Sequence, residues 1–558
     1  MQFILGLGKR FCLDSHELKH FCRFFEGNIM ARLYFLLFIF ALMPLNTAQA
    51  LDINQQGADQ LKSAFQNLLD YQKTTNDAMG SVLLEYQGDL TVQQEATYYS
   101  VTFPHIFVKV PPMSGVDEDA IGTFDVGVIK VNAMPDEKAG YWKTIITLPS
   151  TMTLKGKTPE EDFSVSFADQ KSIALFNEAL GYFTKMDLNI SGITFKSAGA
   201  DVGVNVGGFQ IYTKLEDQGN NTFTGPGHVL LSNLNIAPPE EKGNANIGEL
   251  KGSFSFTDIQ MPTLKEYQEK ILKHSKTFKS LQNIEQTDED APVNGTDIIG
   301  MITDLYDFDM GGFTFEYSAK DININSDLDN EFRQFDTLRI GAASLGMGLE
   351  NVQTEAGSLA ITGGYDTISV TPADPEYSDV MPQSMNVNIK ALNLPYGTLS
   401  KVATNTVNAI ATDPQTAQMA GLGVLMRLPA ILAQANTQIV VEKNGAKNSI
   451  YDFSLNGKVL TDLSAMTGFT AQFNAVFEGL DTLYAITQKN AANEDSDNAW
   501  KFEEMSQKLE RLKAVGKAQS GPNGKPAYGY KIEATPDGKF LVNGQDATTV
   551  FSPAPAPQ

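Results

Sequence analysis

Phe254-Ser255-Phe256-Thr257-Asp258-Ile259-Gln260-Met261 alternates apolar and polar residues, meets a small polar residue, and then alternates again. The same texture recurs at Asp187-Leu188-Asn189-Ile190-Ser191-Gly192-Ile193, at Leu230 to Ile236 and at Val387 to Leu394. Alternation rich in β-branched and aromatic residues marks half-buried strands. The copies are irregularly spaced, so they do not form a solenoid of fixed period. They predict many antiparallel strands carrying bulges or bends. The expected fold class is α+β and β-rich: long curved, mostly antiparallel sheet or sheets with several amphipathic helices packed on them.

Strand-like segments extend outward on both sides. Val82 to Tyr86, Tyr98 to Phe103, Ile106 to Val110, Phe124 to Val131, Thr144 to Leu154, Phe163 to Phe167 and Val202 to Leu215 precede the quoted stretch, and strands resume over about 312–395. Helical periodicity interrupts them. Ala58, Leu61, Phe65, Leu68 and Leu69 form one apolar stripe near the start. Over 263–283, Thr263 and Glu266 have capping-box spacing, and Lys265, Lys270, Lys273, Lys276 and Lys279 make the segment basic. Such a helix can lie on a membrane surface, but packing on the sheet with solvated lysines is the reading adopted.

Residues 397–411 and 414–435 read as two further helices, with Asp413-Pro414 as a start signal. Met419 to Ala433 is strongly apolar, broken by Arg427 and Pro429. It is too short to span a bilayer, which takes about 20 apolar residues. It is either a core helix or a lid over an apolar cavity. Met419, Leu422, Leu425 and Ile431 are the candidate contacts. A hairpin is expected over Gln438 to Glu442 and Ser449 to Leu455, turning at Asn444-Gly445. A helix over 497–515, capped by Gly516, and a last hairpin around Pro536-Asp537-Gly538 complete the pattern.

The expected organisation is an extra leader or mis-assigned start over 1–29, a signal peptide over 30–50, a β-rich region over 51–284 opening and closing with helices, and a linker over 285–295. A second β-rich region covers 296–545, and a Pro/Ala tail covers 546–558. The signal reading rests on Met30-Ala31-Arg32, the apolar run Leu33 to Leu45, and the small residues Ala48 and Ala50 at the cleavage site. Cys12 and Cys22, the chain's two cysteines, precede that site and lack zinc-ligand spacing. The exported part would therefore hold no disulfide. The expected compartment is periplasmic, with no transmembrane span in the mature chain.

Against 42 Lys and Arg stand 66 Asp and Glu, for a net charge of −24. That excess repels nucleic acid and anionic head groups, so no nucleic-acid partner is expected. It leaves contact with acyl chains open.

Catalytic motifs are incomplete. Ala342-Ala343-Ser344-Leu345-Gly346 lacks the first glycine of a nucleophile elbow, and His105, His228 and His274 all precede Ser344. Gly156-Lys157-Thr158 lacks the first glycine of a phosphate loop, since Thr151 stands there. Asp327-Leu328-Asp329-Asn330-Glu331 continues with Phe332 and Leu338 where a calcium loop needs Gly and Glu. The chain is read as a non-enzyme with no catalytic, metal or cofactor site.

The strand-after-strand texture across about 80–480 and the closing Asp537-Gly538-Lys539-Phe540-Leu541-Val542-Asn543-Gly544 resemble the AsmA-like and related families of bacterial envelope proteins. Members of those families typically keep an N-terminal membrane anchor, from which this chain departs. The expectation is an exported envelope protein that binds an apolar, lipid-like ligand on one sheet face. The alternatives are a structural or interaction protein whose helices close the sheet completely, and a hydrolase using one of the three histidines beside a carboxylate or serine.

Overall fold

The computed structural model describes residues 53–547, apart from 80–82, 111–121, 156–161, 179, 198–199, 238–242, 283–296, 298–299, 302–303, 305–308, 326–335, 372–377, 413–416 and 494–497. The expected signal peptide with Ala48 and Ala50, the expected linker 285–295, and the phosphate-loop and calcium-loop fragments fall outside the described residues. Two compact units emerge. Unit 1 comprises Met1–Val202, Gly208–Gly227 and Gln260–Phe308, and unit 2 comprises Gly203–Gly207, His228–Ile259 and Asp309–Gln558.

The first elements are α1 (Gln55–Met79), β1 (Leu83–Gln87), β2 (Thr91–Gln94), β3 (Tyr99–Val110), β4 (Gly122–Pro135), β5 (Tyr141–Thr147), β6 (Thr151–Lys155), β7 (Phe163–Ser166), β8 (Asp169–Asn177) and β9 (Tyr182–Ser197). Then come β10 (Ala200–Lys214), β11 (Glu216–Gly219), β12 (Thr222–Ile236) and β13 (Asn244–Gln260). The chain of β10, β12 and β13 passes from one unit to the other. Helices α2 (Leu264–Lys273) and α3 (Ser275–Gln282) return to unit 1.

Unit 1 is built on α1. Its stripe Leu61, Phe65, Leu68 and Leu69 is buried as the periodicity requires. The Phe65 ring stacks on Phe176 and meets Phe103 edge-on, each at 5.3 Å between centroids. Thr263 and Glu266 form the capping box, the Thr263 side chain accepting from the Glu266 N–H. The basic helix packs on α1, where Ile271 joins Ala78, Met79 and Met301. Its partner is thus a helix, where the sheet was expected.

Two strand boundaries differ from the periodicity. Tyr98–Phe103 and Ile106–Val110 form one strand, β3, which runs through Pro104. The register against β4 shifts between Thr102 and His105, and a bulge is where a strand tolerates a residue without an N–H. Thr144 to Leu154 is two strands, because Leu148-Pro149-Ser150 breaks the ladder. Beyond the break β5 pairs with β8 and β6 with β7. Gln170 holds the break by donating to Leu148 O and accepting from Leu148 N.

Unit 2 continues with β14 (Gly312–Asn325), β15 (Thr337–Glu350), β16 (Gly357–Thr371) and β17 (Ser384–Leu394). Helices α4 (Tyr396–Thr412) and α5 (Ala417–Gln434) intervene before β18 (Gln438–Lys447), β19 (Asp452–Thr461) and β20 (Phe469–Glu478). Helices α6 (Leu480–Ala491) and α7 (Ala499–Val515) precede β21 (Lys517–Ser520), β22 (Pro526–Ala534), β23 (Phe540–Val542) and β24 (Gln545–Asp546). Each strand from β13 to β20 pairs antiparallel with its successor, and β20 pairs with β22. The β-rich, antiparallel α+β class is as expected.

The pause inside each alternating segment has a physical identity. Gly192, Asn233, Asp258 and Asn393 all have left-handed φ, between 50° and 62°. Asp321 and Thr367 join them at 53° and 57°. Asn, Asp and Gly tolerate this region where most side chains do not. At each position the apolar residues change parity. In β14, Phe313, Phe315, Tyr317 and Ala319 are followed by Ile322 and Ile324. A regular strand would turn the second set to the opposite face. The left-handed residue interrupts the alternation where the parity changes.

The neighbouring strands answer with glycine. The β13–β14 ladder passes from Ile247↔Ile322 to Glu249↔Lys320 over Gly248 and Asp321. The same line continues over Gly341 in β15 and Thr367 in β16. Glycine and left-handed residue thus alternate across four strands.

Asn444-Gly445 is not a turn. β18 runs through it to Lys447, with a register shift after Val441 and a left-handed Lys443. Asn444 spends its side chain on a bulge, its Oδ1 accepting from Asn388 N at 2.5 Å. The chain reverses instead at Asn448, whose Oδ1 accepts from the N–H groups of Ile450 and Tyr451. Helix α6 is an element that the periodicity did not reveal.

Candidate functional site: the apolar face of unit 2

Residues directly paired across antiparallel strands share a face. Phe254 pairs with Phe315, Phe315 with Met347, Met347 with Ile361, Ile361 with Ile389 and Ile389 with Val441. The line continues through Gly457, Phe473 and Ile532 to Val542. A parallel line runs from Phe256 through Phe313, Leu349, Leu359, Ala391 and Ile439 to Val459. From Val459 it passes through Ala471 and Ala534 to Phe540. Strand after strand presents apolar residues in register.

Among the described residues, α6 and α7 cover one end of this face. Leu480 and Leu483 of α6 and Leu509 and Val515 of α7 pack with Ala475, Tyr530 and Val542 into a buried cluster. Tyr451 belongs to it. Burial pushes the Tyr451 hydroxyl up to about 12, and that hydroxyl donates to Val380 O. Over β14 to β18 much of the same face is in water, although Ala319 and Val441 are buried. Tyr317 is 51% exposed and Leu345 62%, and Met347, Ile361 and Ile439 are exposed beside them.

The opposite face is polar. Lys320 Nζ lies 2.9 Å from Glu249 Oε1, and that bond raises the lysine above its ordinary value. Small residues on β15 and β16, among them Ala342, Ser344 and Gly364, floor a shallow trough of about 630 Å³. Lys251, Glu316 and Asp366 stand at its sides. Ser344, the nearest approach to a nucleophile elbow, sits mid-strand between Ser318 and Gly364, far from any strand-to-helix turn.

The lid candidates lie on α5. Leu422 is 60% exposed and Ile431 half-buried. The side chains of Met419 and Leu425 fall outside those described. Thr461 Oγ1, at the end of β19, donates to Leu432 O of α5 at 3.2 Å.

Two histidines have carboxylate partners. His105 Nε2 is 2.5 Å from Asp125 Oδ1, with its ring stacked on Phe107. His274 Nε2 is 2.7 Å from Asp304 Oδ2, which also accepts from Lys273. Those bonds hold the Asp304 carboxyl below its usual range. No hydroxyl is hydrogen-bonded to either pair among the described residues. His228 lies in β12. Among the described residues no group of three His, Cys, Asp or Glu could hold a metal ion, and no helix is long and apolar enough to cross a membrane.

No protein-family model, curated protein or solved structure matches this chain.

Proposed function

We propose that the chain is an exported envelope protein that carries an apolar, lipid-like ligand on the open face of β14–β18. One observation carries this reading: a single in-register apolar face is sealed by α6 and α7 at one end and left in water at the other. Each buried methylene is worth about 0.8 kcal/mol, so a flexible hydrocarbon laid across the open strands recovers that energy. Strands lie about 4.8 Å apart, so β14 to β18 measures roughly 19 Å across. One acyl tail reaches about half of a ~30 Å hydrocarbon core. The face therefore offers a tail its full length.

Native mass spectrometry and lipid extraction of protein purified from its host test the proposal. Bound acyl-chain mass is expected, and it is lost in a Leu345→Glu, Ile361→Glu variant that keeps its circular dichroism. A clean apo mass in the unmodified protein sinks the idea.

A further inference from the structure

Three segments of unit 2 bring exposed apolar side chains to one strand end. Helix α5 offers Leu422 and Met426, the latter 81% exposed. The loop between β19 and β20 offers Leu463 and Met466, the latter 83% exposed. Phe540, just past the Pro536-Asp537-Gly538 turn, is exposed as well. The three segments touch. Met466 N donates to Pro536 O at 2.8 Å. A Cβ at Gly538 would lie 3.5 Å from that of Met466, and one at Gly468 would lie 4.0 Å from that of Pro429. Leu422, Met426 and Pro429 are spaced four and three apart, so they share one stripe of α5.

We propose that this tip docks on the surface of a neutral lipid bilayer, where the apolar face loads or unloads its ligand; the inference rests on the carrier reading above. Two observations select the partner. The tip is in register with the face, because Phe540 ends the line that runs through the buried Ala534 and Ala471 and through Val459 to the exposed Ile439. The tip is also small. Five side chains fall far short of the roughly 20–30 residues a side of a stable protein interface, yet apolar side chains that size suffice for shallow insertion among acyl chains. The net charge of −24 opposes anionic head groups, which selects a zwitterionic surface.

Flotation with phosphatidylcholine vesicles tests this on the full chain. The unmodified protein is expected to co-float, in low and high salt alike. A Met426→Asp, Met466→Asp variant is expected to lose about tenfold or more in partitioning. Both side chains are largely in water, so its melting curve and its mass by light scattering should match the parent. Failure of the parent to float, equal flotation of the variant, or a change in oligomeric mass on substitution overturns the proposal. A fluorescent fatty acid, measured without vesicles, keeps the two readings apart. Equal probe binding by parent and variant with flotation lost supports docking. Flotation without any probe binding keeps docking and sinks the carrier reading alone.

Discussion

Gly248 and Asp321 face each other across β13 and β14 so closely that a Cβ on the glycine would stand 2.9 Å from the aspartate Cβ. The aspartate has left-handed φ, which throws its side chain into the space a residue at 248 would fill. Gly248→Ala is therefore expected to destabilise unit 2 by about 1–3 kcal/mol through overpacking. Asp321→Gly should cost little, since glycine takes that φ freely, whereas Asp321→Val should cost more than either. Thermal melts of the three variants check this order.

Glu178 is buried and accepts from Trp142 Nε1 at 2.9 Å. Burial pushes its carboxyl above the usual 4.5, against the opposing effect of that hydrogen bond. A carboxyl raised on folding binds more protons in the native chain, so its charge erodes stability as pH rises above the unfolded value. Glu178→Gln keeps an acceptor for the indole without the charge. The variant should melt higher than the parent at pH 7, and the gap should close below about pH 4. A constant gap at all pH values would contradict this origin.

Glu478 works in the opposite sense. The Asn523 backbone N–H and side-chain amide both donate to it at 2.9 Å, and they hold its carboxyl below the usual 4.5. A carboxyl lowered on folding stabilises above its unfolded pKa, and that contribution is lost as pH falls through the folded one. The turn at 521–524 should therefore loosen in acid. Protection against hydrogen exchange at Asn523 and Gly524, relative to the intrinsic rate at each pH, should fall below about pH 4, and Glu478→Ala should show the same loss of protection at neutral pH.

The capping box at Thr263 satisfies two N–H groups at the start of α2. Thr263→Ala should cost about 1 kcal/mol, read as a lower melting temperature. Thr263→Asp should restore most of it.

Much of this was legible in the sequence. Helix α1 and the capping box followed from spacing, and the bends followed from the small or polar residue inside each alternating segment. What spacing could not supply was the partner. Gly248 looks like any strand glycine until Asp321 is known to oppose it, a relation between residues 73 positions apart in number. Asn444-Gly445 has the composition of a hairpin turn, but the β17 backbone needed its amide oxygen, and tertiary pairing overrode local preference. The open face was half legible: alternation marked the apolar side of each strand. Only register revealed that these sides form common lines, and only α6 and α7 mark where cover stops.

The order of the strands bears on how such a face is assembled. From β13 to β20 every ladder joins a strand to the next one in the chain. From β14 onward each closure spans a short loop or a helical hairpin, with little entropy lost per step, whereas β13 meets β14 only across residues 261–311. Rates of folding rise as contacts become local, so this half of the molecule should zip in chain order, with α6 and α7 able to shield only the strands that arrive last. Throughout that growth the exposed ladder edge is always the newest strand. A companion that holds such edges would matter most before β20 has found β22.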